Sequence, residues 1–192
     1  MPNVHVFPGG MIDDHDFSQD WLELFRFNTP TELMDLLSYG KVGSPIYSRE
    51  RDAEFSTVPA EIGLRITAIR ETFEESGVLL ARSCEDLEQN GTHELGKPSP
   101  GNIFNNNVSE GDLQKWREKV NGNSSEFLNM CKEFEAIPDI WSLYEWSNWL
   151  TPLLTTRTHR FDTAFFVSCI DEGPLIVPSI GETDQGIVSR TC

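Results

Sequence analysis

Between Ala68 and Val78 the chain reads AIRETFEESGV, and three carboxylates, Glu71, Glu74 and Glu75, fall within five residues beside Arg70. On a helix turning about 100° per residue, their i, i+3, i+4 spacing puts them on one face. Ile62, Ile66, Ile69 and Phe73 fall on the opposite face, giving a core stripe on one side and clustered negative charge on the other. Like charges so spaced repel by about 0.2–0.5 kcal/mol per pair, and acids in a last turn oppose the helix dipole. A cation relieves both effects. Hard divalent cations held by carboxylates can neutralise a phosphate and acidify water, which is hydrolytic chemistry. Three acids in five residues are also an ordinary solvated face in a chain this acidic, so the cluster alone leaves both readings open.

The elements that must position these residues are legible around them. Pro59 suits the first turn of the acidic helix and Gly77 its C-terminal cap, with Val78-Leu79-Leu80-Ala81 as a following strand. Upstream, Val4-His5-Val6-Phe7 alternates as a short strand and stops at Pro8-Gly9-Gly10, a loop signal. Residues 11–58 read as a surface insertion with a short helix near Pro30 to Leu37, and residues 84–110 as a polar loop. Asp112 to Val120 and Ser125 to Phe134 read as helices, with Ser124 or Ser125 as N-cap of the second. Arg160 to Ile170 is rich in strand formers, and a weak strand signal follows it. Within PDIWSLYEWSNWLTP, Trp141, Trp146 and Trp149 are expected to pack in the core rather than stack bases, because the surroundings lack a basic groove.

Charge limits the partners. Fifteen Lys and Arg against 31 Asp and Glu give a net charge of −16 over 192 residues, which argues against nucleic acid or an anionic membrane as partner. A small phosphorylated ligand remains open, since a bound divalent metal reverses the local sign of charge. No run of 18 apolar residues occurs, and PNVHVFPGG after Met1 carries no signal-peptide pattern, so a soluble, non-secreted chain is expected. Cys84, Cys131, Cys169 and Cys192 lie far apart without zinc spacing and read as reduced thiols. The four histidines are scattered and none forms a nucleophile motif.

Arg70, Glu71, Glu74, Glu75, Gly77 and Val78 match the second half of the signature of the Nudix hydrolases, and Phe7-Pro8-Gly9-Gly10 resembles the strand and loop that open it. Thr72 stands where an aliphatic residue is usual. Gly10 precedes Arg70 by 60 positions, so residues 11–58 are an insertion within the motif. The glutamate of the signature eight positions before the arginine is absent, Ile62 standing there with Glu61 beside it. The long insertion, with WLTP and RFDTAFF, resembles the peroxisomal coenzyme A diphosphatase branch.

That resemblance implies an α/β fold, an α/β/α sandwich around a mixed sheet with inserted helical and loop segments, in one domain over 1–192. It implies hydrolysis of the pyrophosphate of coenzyme A and acyl-coenzyme A, with Mg²⁺ or Mn²⁺. Glu71, Glu74 and Glu75 are then metal ligands, one of them a candidate general base, and Arg70 orients a carboxylate or the loop. Gly9 and Gly10 let the backbone approach the helix, and Arg160 is a candidate for a substrate phosphate. Little strand-forming sequence precedes Pro8 or follows Ile170, so an incomplete domain is expected. The resemblance implies a peroxisomal location, although Arg190-Thr191-Cys192 is not an SKL-type address; cytoplasm or mitochondrion is the alternative. An inactive fragment, an acidic interaction module, or a Nudix hydrolase of another nucleoside diphosphate derivative are the competing readings. Oligomeric state is not legible.

Overall fold

The computed structural model describes residues 7–37, 44–86, 99–104, 108–152 and 160–170. Its centre is α3, Ala60–Ser76, which follows Pro59 and ends at Gly77, where φ is 75° and the amide N–H donates to the Phe73 carbonyl. Only glycine takes that left-handed turn without a Cβ penalty. Ile62, Ile66, Ile69 and Phe73 are all fully buried, as the periodicity predicts. Burial of side chains this size stabilises by about 1.5–3 kcal/mol each.

The short helices α1 (Asp20–Phe25) and α2 (Pro30–Leu36) follow a 3-10 turn at Asp14–Phe17. Asp13 caps that turn, and Thr29 caps α2 with its hydroxyl on the Glu32 N–H. The insertion is not a surface appendage: Phe17, Trp21, Leu22, Phe25, Leu33, Ile46 and Val58 are all buried. Its aromatic side chains explain why. Trp21 lies 5.8 Å from Phe127, and Phe25 stands edge-on to Trp141 at 5.6 Å, so the inserted chain closes the core over the helices that follow.

Two further helices, α4 (Glu110–Gly122) and α5 (Glu126–Glu133), match the predicted pair within two residues at each end. Ser125 stands at the N-cap of α5, as expected, but makes no side-chain capping bond, whereas Ser109 caps α4 by accepting from the Asp112 N–H.

Strands β1 (Ala81–Ser83) and β2 (Ala136–Pro138) pair antiparallel, as do β3 (Tyr144–Leu150) and β4 (Asp162–Val167). The chain is therefore α/β, but among the described residues its sheet consists of these two separate pairs. The predicted strand at 78–81 begins later, with Leu80 instead bridging to Ile103. Residues 4–6 of the predicted first strand, and the weak strand signal after Ile170, lie outside the described residues. Trp141 is buried as expected, but Trp146 and Trp149 are exposed, 76% and 69%. They stand on a two-stranded hairpin, which covers only one of its faces. Among the described residues no helix is long and apolar enough to cross a membrane.

Candidate active site

Arg70 sits at the centre of the acidic face, almost wholly buried, and all five of its N–H donors are used. Nε and Nη2 donate to the two oxygens of Asp16, each at 2.9 Å. Nη1 donates to Glu71 Oε1 at 2.9 Å and Glu74 Oε1 at 2.8 Å, and Nη2 also reaches the Met11 carbonyl at 3.1 Å. Arg70 thus orients carboxylates and holds the chain just past Gly10.

Asp16 is the carboxylate that sequence reasoning missed. Its Oδ2 also accepts from the Thr67 hydroxyl at 2.8 Å and from the Asp13 N–H at 3.1 Å. It takes the place of the glutamate sought at Ile62, which lies in the core. The signal was available from the other end of the motif. Asp16 stands six positions after Gly10, the spacing from opening glycine to glutamate in an uninterrupted signature, so the added chain follows Asp16 rather than Gly10.

The glycine loop lies against the same helix. A Cβ on Gly10 would come within 2.3 Å of Glu71 Oε2, so any side chain there would displace the Glu71 carboxyl. The Gly9 N–H donates to Glu75 Oε2 at 3.3 Å. On the far side Arg117 donates from Nε to the Glu74 carbonyl at 2.8 Å and from Nη2 to the Glu75 carbonyl at 2.5 Å. A guanidinium there satisfies end-of-helix carbonyls and opposes the dipole's negative end. The structure therefore brings Gly9, Gly10, Arg70, Glu71, Glu74 and Glu75 together. Arg160 is elsewhere, at the loop end of the β3–β4 hairpin, with Nε on the Thr151 carbonyl at 2.9 Å.

Electrostatically the cluster is short of positive charge. Burial pushes the Glu71 and Glu74 carboxyls up, and Arg70 only partly opposes it. Burial pulls the Arg70 guanidinium down, but its bonds to Asp16, with Glu74 and Glu71, hold it above its ordinary value. Three carboxylates around one guanidinium leave an excess of two negative charges, which a divalent cation with a preference for oxygen ligands matches. The charge therefore suits such an ion, while among the described residues Glu71, Glu74 and Glu75 do not bring their ligand atoms within 4.8 Å of one another.

Among the described residues the acidic group whose ligand atoms do converge lies nearby. Asp13, Asp14 and His15 bring ligand atoms within 4.8 Å of one another, with the His15 Nδ1 at 2.8 Å from a carboxylate oxygen of each aspartate. The imidazole already bridges the acids, and two of the three side chains are exposed.

The family model described as the NUDT19 Nudix domain matches residues 1–189. The chain belongs to this Nudix family. Divalent-metal use is general among Nudix hydrolases, in keeping with the charge excess around Arg70. Three relatives carry the name acyl-coenzyme A diphosphatase NUDT19. The Xenopus laevis protein is 40% identical over 183 residues, 92% of this chain and 45% of the relative. The Homo sapiens protein is 38% identical over 187 residues, 95% and 48% of the two chains. The Gallus gallus protein is 36% identical over 194 residues, 98% and 49%. The Nudix chain thus spans about half the length of these relatives. No solved structure matches it.

Proposed function

We propose that the chain hydrolyses the pyrophosphate of coenzyme A and its acyl esters, giving adenosine 3′,5′-bisphosphate and the matching phosphopantetheine. The observation that carries this reading is the Gly9–Gly10 loop held against Glu71 and Glu75, with Arg70 at its centre. The names of the relatives at 36–40% identity support the substrate. Glu71, Glu74 and Glu75 would hold Mg²⁺ or Mn²⁺, which when bound offsets the pyrophosphate charge and acidifies water. Arg70 does not touch substrate in this arrangement, because its donors are all occupied; it keeps the carboxylates and the loop at Met11 in register. One glutamate of the cluster would take the proton of the attacking water. Water adds at one phosphorus as the bridging P–O bond breaks, and preorganised charge does most of the work. Arg160 would meet a substrate phosphate. A peroxisomal setting goes with this reading on resemblance alone.

The test is release of adenosine 3′,5′-bisphosphate from coenzyme A by the purified chain, with and without Mn²⁺. Metal-dependent release is expected. Hydrolysis of ADP-ribose with no hydrolysis of coenzyme A would place the chain with another nucleoside diphosphate substrate.

A further inference from the structure

The β3–β4 hairpin has one covered face and one open face, and the open face is aromatic. Ser147 pairs with Phe165 and Trp149 with Thr163, so these four side chains share a face, and the Thr151 N–H to Phe161 carbonyl bond of 2.8 Å continues it. The opposite face packs inward: the Arg65 guanidinium of α3 lies 5.0 Å from the Phe166 ring centroid, and Ala164 and Phe166 pack on the core. On the open face the Trp149 and Phe165 rings lie 6.0 Å apart, and Phe161 is 62% exposed. Isolated exposed aromatics are unremarkable, but a contiguous set marks a binding surface.

Its position says what it binds. Phe7 stands edge-on to Phe165 at 6.2 Å, and Phe7 lies two residues before Gly9, whose N–H meets Glu75. Two residues of chain reach at most about 7 Å. The aromatic face is therefore continuous with the glycine loop at one end. In an adenosine diphosphate derivative one ribose joins base and diphosphate, so a base on this face beside the glycine loop leaves its diphosphate toward the carboxylates.

We infer that Trp149, backed by Phe165, stacks the adenine of an adenosine diphosphate derivative whose diphosphate meets the carboxylate cluster. This rests on the proposed diphosphatase reading and adds the nucleoside subsite to it. A base stacked on an aromatic ring binds without any sequence of hydrogen bonds, which suits an exposed face. Contacts held equally in ground and transition states change KM rather than kcat.

The experiment compares the chain with Trp149→Ala and Trp149→Phe. Coenzyme A hydrolysis is followed with Mn²⁺, and adenosine 3′,5′-bisphosphate binding by calorimetry. Alanine should raise KM and the nucleotide Kd about tenfold or more, with kcat little changed, and phenylalanine should restore most of the loss. Unchanged KM and Kd in the alanine variant overturns the inference. So does a loss confined to long-chain acyl esters, or a dimer that alanine dissociates while Kd holds, since the face then takes an acyl chain or a second copy. If the chain binds the nucleotide through Trp149 but hydrolyses no coenzyme A, the subsite stands and the proposed reaction falls. Trp149 is largely exposed, so its loss should leave the far-UV spectrum unchanged.

Discussion

Asp16 and Arg70, 54 residues apart in sequence, meet through two parallel hydrogen bonds of 2.9 Å. Both side chains are almost fully buried, so the pair ties the start of the insertion to the acidic turn of α3 where water does not compete. Removing one partner strands the other charge. Asp16→Ala is therefore expected to lower stability by about 3–5 kcal/mol, read as a shift in urea midpoint at constant slope. A change under 1 kcal/mol would mean the pair does not hold the loop.

Glu74→Gln and Glu75→Gln keep shape and remove charge on the site face of α3. Each is expected to cut coenzyme A turnover about 10²-fold or more, with the melting transition still cooperative. Full activity in both variants would remove the carboxylate cluster from the mechanism.

Gly10→Ala probes the approach of loop to helix. The new methyl would meet the Glu71 carboxyl at 2.3 Å, and that carboxyl is the end of a side chain able to swing aside. The fold should survive while activity falls at least tenfold, because a small displacement of a catalytic group is costly. Circular dichroism and turnover together decide it; loss of folding instead would make Gly10 a packing residue.

Arg160 lies outside the carboxylate cluster, so its variant separates substrate recognition from chemistry. Arg160→Ala should weaken coenzyme A by about tenfold in kcat/KM and leave 3′-dephospho-coenzyme A nearly unaffected. Equal effects on both substrates would deny it the 3′-phosphate.

Stability should peak in mild acid through the Asp13–His15 pair. Burial pushes Asp13 up, but hydrogen bonds from Ser124 and from the backbone and ring of His15 outweigh it and bring the carboxyl down to about 2. Its contribution is present above the unfolded value of 3.8 and is lost as pH falls toward 2. The Asp13 hydrogen bond raises His15 above 6.5, against its slight burial, so that contribution is present below 6.5 and is lost as pH rises through the raised value. Both groups are largely exposed, so screening keeps the effect to roughly a few tenths of a kcal/mol. Thermal melts of the chain and Asp13→Asn across pH 2–9 check it: the variant should show flatter limbs on both sides.

Local pattern alone determined α3. Pro59, the Ile62-to-Phe73 stripe and Gly77 set its start, buried face and end, because each depends on neighbours within a turn or two. The motif likewise placed Glu71, Glu74 and Glu75 on one face, and FPGG foreshadowed the loop beside them. What only the tertiary structure decided are the pairings that close over long stretches of chain. Asp16 was invisible when the motif was counted back from Arg70, since the inserted residues break the spacing and the ion pair forms only in space. The insertion looked polar, yet its few large side chains lie inside, because burial depends on which residues turn inward rather than on average composition. Trp149 and Phe166 sit on strands with equal strand-forming character. Alternation divides such a hairpin into two faces, but the packing of α3 against Phe166 chose which was covered, and that left Trp149 open to solvent.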